Sequence, residues 1–256
     1  MSDNLSVFQR LNDLASRSYN NNQYTFSTFL SAGEISDYYT LYEGKLSYAS
    51  PKLYGGTDNA ERKIIRFGSE KEFGYVEEFP IVALLIKPLS AKFSDDLNHR
   101  DFLGALMNLG IKRELLGDIY IKKGNGGIEC CLFCLESIAD YIMENLTRIK
   151  HTSVSVSKTE ETGYLTEPTL EPKMIQVASE RADGIVARVY NLSRGDSLEL
   201  FQKELVFVNS RLCTENAKTL NEGDIVSARG YGKFKIDELL NVSKKGKQNI
   251  RVLIYK

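Results

Sequence analysis

Long apolar runs are missing from this chain of 256 residues. The longest, Ile81 to Ile86, is far short of the roughly 20 residues that a membrane-crossing helix needs. Asp3 follows the first residues and no apolar stretch comes after it, so no secretory leader is expected and the location expected is cytoplasmic. Cysteine is scarce as well, with only Cys130, Cys131, Cys134 and Cys213. Cys131 and Cys134 form a CxxC, which reads as half a zinc site or as a redox pair. A structural zinc centre needs a second pair of Cys or His ligands, and no second CxxC exists. Leu132, Phe133 and Leu135 are apolar neighbours, so the cysteines are expected to be reduced core residues, with no metal and no cofactor.

An excess of one charge is also lacking. The formal net charge of −1 argues against a protein that coats nucleic acid indiscriminately. The charge is unevenly placed, however. Residues 173–256 carry 15 Lys and Arg against 10 Asp and Glu, whereas the rest carries 18 against 24. From Ile225 onward eight basic residues face two acidic ones. An acidic body with a basic end is the asymmetry of a nucleic-acid contact confined to one region. A solvated tail on an enzyme is the plainer alternative.

What is present fits an α+β protein of one large or two to three small domains. Residues 1–75 read as helices followed by a strand pair. Val7, Leu11, Leu14 and Ala15 recur at helical spacing, and Tyr24 to Tyr42 reads as a second, aromatic-rich helical stretch. Leu46–Tyr54, the turn Gly55-Gly56 and Arg62–Phe67 read as a hairpin-like unit. Residues 76–158 read strand, helix, strand, strand, helix, strand: Phe79–Ile86, Asn98–Leu109, Asp118–Lys122, Ile128–Phe133, Leu135–Ile149 and Thr152–Val156. That order is the ferredoxin-like (RRM-like) one. Residues 81–86 are apolar on both alternating faces, so the second sheet face is expected to lie under the N-terminal segment. RNA-recognition motifs stack bases on third-strand aromatics. Here that strand reads Gly-Gly-Ile-Glu-Cys-Cys-Leu-Phe, so this sheet is not expected to read RNA. Residues 159–172, with Glu160, Glu161, Gly163, Pro168 and Pro172, have the composition of a linker.

Residues 173–256 read as a small α/β domain. A strand at Met174–Val177 leads into a helix over Glu180–Val189. Ser193 has the pattern of an N-cap for a second helix reaching Lys203. Strands follow at Leu205–Val208, Arg211–Cys213 and Ile225–Arg229, with a turn at Asn209-Ser210. Ile250, Val252 and Ile254 alternate at the end.

Arg181-Ala-Asp183, Ser193-Arg194, Val208-Asn209 and Glu222-Gly223-Asp224 resemble the S-four-type RNA-binding domain in their spacing. Further segments narrow the resemblance: Arg229-Gly-Tyr-Gly-Lys-Phe234, Lys244-Lys245-Gly246-Lys247, Ala60-Glu-Arg-Lys63, and Leu97 to Gly110 with Arg113-Glu114 and Gly117-Asp118. With them, nearly the whole chain resembles the bacterial YlmH family. That resemblance implies an RNA-binding factor of ribosome-associated quality control, acting on large ribosomal subunits that still carry peptidyl-tRNA. A link to cell division, through genome neighbourhood, comes with the same family. The partners implied are structured rRNA and tRNA and the large subunit, with no membrane and no DNA, for a protein that is expected to be a monomer.

The residues implied in RNA contact are Arg181, Arg188, Ser193, Arg194, Lys203, Asn209, Arg211, Arg229, Lys233, Lys244, Lys245 and Lys247. His99, Arg100 and Arg113 are candidates for a second contact. Arginine suits this role because its guanidinium offers a fixed fork of donors to phosphate oxygens. The pattern has departures: Asp196 and Glu199 follow the Ser-Arg pair, Glu204 stands where glycine is common, and Phe29 to Glu34 lacks an Asp-Pro element. From Glu180 to Arg211 five cations face five acids, a helix face weaker in positive potential than usual.

S-four-type domains are often attached to enzymes, so an RNA-modifying enzyme of pseudouridine synthase or methyltransferase type is the alternative. A methyltransferase needs a glycine-rich loop that opens a helix, and Gly124-Asn-Gly-Gly127 sits between two strands. The motifs of a tyrosyl-tRNA synthetase are absent. Arg181-Ala-Asp183 vaguely resembles a synthase motif but lies within the binding module. His99, Arg100 and Asp101 point to different faces of a helix start, which suits capping and loop contact better than acid/base work. A binding factor without catalytic residues is expected.

Overall fold

A computed structural model of the chain describes residues 2–90, 92, 94–124, 127–163, 170–243 and 246–255. It is a mixed α/β protein whose three sheets are antiparallel. The chain divides into two compact units, Met1–Glu34 with Leu41–Glu167, and Ile35–Thr40 with Pro168–Lys256.

In the first unit, helix α1 (Ser2–Asn21) buries Val7, Leu11 and Ala15, which repeat every four residues along one face. Strands β1 (Thr25–Phe26), β2 (Lys52–Tyr54) and β3 (Ile64–Phe67) form a sheet in the order β1-β3-β2. The helical expectation for Tyr24 to Tyr42 is therefore corrected at its start. Thr25 and Phe26 are strand-favouring residues that pair with Phe67 and Arg66, and Ser27 extends the pairing in both directions with Ile65. The chain becomes helical only in α2 (Ala32–Asp37), followed by a π-helical turn over Tyr38–Tyr42. Leu46 lies in the short helix α3 (Glu43–Leu46) rather than in a strand, and α4 (Glu70–Phe73) follows β3.

The second sheet holds β4 (Ile81–Pro88), β5 (Leu116–Gly124), β6 (Gly127–Leu135), β7 (Arg148–Ile149) and β8 (Thr152–Lys158) in the order β5-β6-β4-β8-β7. Helices α5 (His99–Asn108) and α6 (Glu136–Asn145) connect its strands. Asn98 and Asp101 close a reciprocal capping box at the start of α5. Helix α6 ends at Asn145, short of the expected Ile149, because Arg148 and Ile149 pair with Ser153 and Thr152 across a turn at Lys150.

One face of this sheet packs Leu84, Ile86 and Leu132 against Phe102 and Leu106 of α5 and Ile142 of α6. The other face, Ala83, Cys131 and Phe133, is also buried. It lies under the N-terminal segment, as the two apolar faces of β4 require: a Cβ on Gly56 would meet the Phe133 ring and one on Gly117 the Phe29 ring. Cys131 and Cys134 face opposite sides of the sheet, one in each cluster, so the CxxC does not form a chelating pair. Burial pushes both thiols up to about 12.

The second unit contains β9 (Leu170–Val177), α7 (Ala182–Tyr190), α8 (Arg194–Gln202), β10 (Val206–Val208), β11 (Arg211–Leu212), β12 (Ile225–Ala228), β13 (Gly232–Val242) and β14 (Gln248–Tyr255). Its sheet order is β11-β10-β12-β13-β14-β9. Ile185, Val186 and Val189 of α7 and Phe201 of α8 pack on Val226, Phe234, Ile236, Ile250 and Val252. Two expectations change. Strand β9 starts at Leu170, inside the expected linker, and its Pro172 is accommodated because β9 is an edge strand. The long strand β13 has no counterpart among the expected strands.

These pairings carry a prediction. A fragment starting at Pro168 should melt cooperatively by circular dichroism. One starting at Lys173 loses the pairs of Leu170, Glu171 and Pro172 with β14 and should melt at lower temperature. A non-cooperative melt of the longer fragment would place the boundary elsewhere.

Candidate functional site

Four of the expected contact residues, Arg181, Arg188, Arg194 and Lys247, line one groove of about 570 Å³ in the second unit. Helix α7 supplies Arg188, the start of α8 supplies Arg194, and Lys247 stands just before β14. Gln176, Ser179 and Asn191 join Asp183 in the rest of the polar lining. None of these three stands out in the sequence. They come into the groove only because β9 pairs with β14 and because Asn191 ends α7 in the left-handed conformation.

The cations in this groove are not equivalent. Arg181 donates from Nε and Nη2 to the two carboxylate oxygens of Asp183, at 3.1 and 2.8 Å. Asp183 is buried and also accepts from the Gly184 N–H and the Asn216 amide. The Arg181 fork beside Asp183 holds this carboxyl below the usual range, and Asp183 in turn raises Arg181. Arg181 thus enters the groove with its charge largely balanced. Arg188 and Arg194 form no salt bridge among the described residues.

The acids that weaken the sequence pattern are engaged elsewhere. The Ser193 hydroxyl donates to Asp196 at 2.7 Å while accepting from the Asp196 N–H, which makes Ser193 the N-cap of α8. Glu199 pairs with Lys203 at 2.6 Å. Arg188, Arg194 and Lys247 therefore leave the groove positive, beside the free N–H groups of the first turn of α8. An anion fits there.

The remaining candidates lie away from the groove. Asn209 spends its side chain on a turn, donating to Asp224 at 2.7 Å and accepting from the Ile225 N–H. Arg211 lies over the Tyr39 ring, Arg229 over Phe207 and Lys233 over Tyr255. Lys244 and Lys245 lie outside the described residues.

The lowered Asp183 pKa gives a signed expectation. A carboxyl depressed in the folded state adds stability above its unfolded pKa of roughly 4, and that stability is lost as pH falls through the folded value. The melting difference between the parent and Asp183→Asn should be largest near neutrality and shrink below pH ~4. A difference that persists undiminished in acid would show that the carboxylate charge is not what matters.

In the first unit, the segments that carry the narrower resemblance meet at a clasp. Arg62 donates from Nε to the Leu116 carbonyl at 2.9 Å and from Nη2 to the Phe29 carbonyl at 3.0 Å. Arg113 donates to the same Leu116 carbonyl at 2.7 Å and to that of Gly117 at 3.1 Å. Asp118 accepts from the N–H groups of Glu61 and Arg62, at 2.6 and 3.2 Å. Burial pushes the Asp118 carboxyl up and both arginines down, Arg113 to about 10. Partial burial of its ring, and then Arg113 nearby, hold His99 below its ordinary value. The Arg113 fork is thus turned to main-chain carbonyls, whereas His99 and Arg100 are exposed at the start of α5.

Residues 75–163 match the family model described as the putative RNA-binding domain in YlmH. Ribosome-associated protein quality control protein P2 of Bacillus subtilis (strain 168) is 29% identical over 198 residues, covering 77% of this chain and 74% of that protein. The solved structure of cell division protein ylmH from Streptococcus pneumoniae aligns with a TM-score of 0.49 and 13% identity, over 64% of this chain and 96% of that one. The RNA-binding description falls on the first unit, whereas the sequence places the grip in residues 173–256. An RNA-binding role is supported for the chain, and the family description attaches it to residues 75–163. Its middle segment thus matches the YlmH family's domain model, and the chain is similar along most of its length to a ribosome-associated quality control protein.

Proposed function

We propose that the protein is a non-catalytic factor that grips structured rRNA and tRNA, on large ribosomal subunits that still carry peptidyl-tRNA after a stall. The observation that carries this reading is the groove of Arg188, Arg194 and Lys247, three cations gathered beside a helix N-terminus with the nearby acids engaged. In this reading residues 76–158 are a ferredoxin-like domain and residues 173–256 an S-four-type domain. The first unit adds contact through His99 and Arg100 at the start of α5, because its sheet face is closed by packing. The name of the Bacillus subtilis relative supports a ribosomal setting. The protein acts as a cytoplasmic monomer.

Sedimentation of the purified protein with ribosomal particles tests this. Co-migration with large subunits is expected; migration with small subunits alone, or with none, would overturn the ribosomal part. RNA from a lysate should emerge chemically unchanged, and a modified base made reproducibly by the protein alone would identify an enzyme. Neutralising Lys244, Lys245 and Lys247 together should weaken binding and flatten its salt dependence, by roughly 0.7–0.9 in log–log slope for each phosphate no longer engaged. An unchanged slope would confine the RNA to the helix pair.

A further inference from the structure

We infer that the tip of the β12–β13 hairpin is a stacking contact for an unpaired RNA base, with Tyr231 as the platform; this rests on the RNA-binding reading above and adds a second, non-ionic point of grip. An exposed tyrosine on a turn is ordinary; the surroundings of Tyr231 are not. The tip stands clear of the rest of the unit: a Cβ on Gly230 or Gly232 would meet nothing within 4 Å. Both glycines have positive φ, 87° and 115°, and the Tyr231 N–H donates to the Ala228 carbonyl at 3.0 Å, so the turn is set by its own backbone.

The ring is also backed from within. Tyr231 is 47% exposed, and its centroid lies 5.6 Å from that of Tyr190, which lies 5.7 Å from that of the fully buried Phe234. Three rings thus run from solvent into the core and hold the outermost one in place. A base laid on a ring that is already ordered loses less freedom than one that must first order a mobile side chain. The buried Tyr190 hydroxyl has no hydrogen-bond partner among the described residues, and its ring packs under Tyr231.

A cation lies beside the platform. Arg229 and Lys233 flank Tyr231 in sequence but are seated on the rings of Phe207 and Tyr255, outside the core on which Tyr190 packs. Lys203, at the end of α8, is close enough to interact electrostatically with Tyr231. An aromatic face beside a cation suits a nucleotide, whose base stacks while its phosphate meets positive charge. An apolar pocket of a protein partner would gain nothing from that charge.

The test measures binding of the full-length chain to purified ribosomal particles over a range of salt. Tyr231→Ala and Tyr231→Leu should each weaken binding roughly tenfold with the salt slope unchanged, because stacking releases no counterions. Tyr231→Phe, which keeps the ring, should stay within about twofold. Melting temperatures near the parent's would show that the tip variants fold. If Tyr231→Ala and Tyr231→Leu bind like the parent while Arg194→Ala binds weakly, the platform is overturned and the groove stands. A reduced slope in the tip variants would mean an ionic contact, and equal loss in Tyr231→Phe a hydroxyl contact; either overturns stacking. A parent that binds no particle removes the RNA-binding reading itself.

Discussion

Gly56→Ala should destabilise the first unit by about 2–5 kcal/mol, the sum of an overpacking penalty and the cost of a side chain at positive φ. Gly56 has φ +97°, and a Cβ there would lie 2.2 Å from the Phe133 ring. That ring has little room to move. It is 3% exposed and sits edge-on to Tyr120. Denaturant unfolding followed through the first unit's transition is the measurement. A change under about 0.5 kcal/mol, the scale of an inconsequential surface substitution, would mean that the ring moves aside and that the loop is not clamped to the sheet.

Arg188→Glu combined with Arg194→Glu should weaken binding to ribosomal RNA by roughly 100-fold at moderate salt and lower the log–log salt slope by about 1.4–1.8. Both side chains line the groove and neither forms a salt bridge among the described residues, so reversal meets no compensating partner. Arg181→Ala should alter the slope less, because Asp183 already offsets Arg181. Binding that survives the double reversal with its slope intact would move the interface to another face. Thermal melts should be near the parent's, since both residues are exposed.

How much of this is legible in the sequence depends on how local each signal is. The caps of α5 and α8 rest on residues three apart, and Asn98–Asp101 and Ser193–Asp196 form them. The alternating faces of β4 likewise imply a covered sheet. Strand β13 is hidden for a physical reason: its pairing with β14 shifts register between Ile236 and Glu238 and again between Leu239 and Val242, which breaks the period-two pattern. For the site, residue types point to Arg181 and Arg194, but charge counting cannot assign partners. The acids of α7 and α8 look like repulsion in the sequence; in the fold Asp183 is bound by Arg181, Asp196 by Ser193 and Glu199 by Lys203. The clasp joins residues such as Arg62 and Arg113 through main-chain carbonyls, which leave no trace in a sequence.

The pairing of β9 with β14 also orders events in time. The first strand of the second unit finds its partner in residues 248–255, so Leu170 waits for Tyr255 before their pairing can form. During vectorial synthesis the helix pair and the β10–β12 strands emerge earlier and must hold their apolar faces without the far half of the sheet. Closing that span is an entropically slow step of high contact order. The groove inherits the delay, because Gln176 and Lys247 flank this same junction. A nascent copy therefore acquires the groove only after the last strand of the unit has docked.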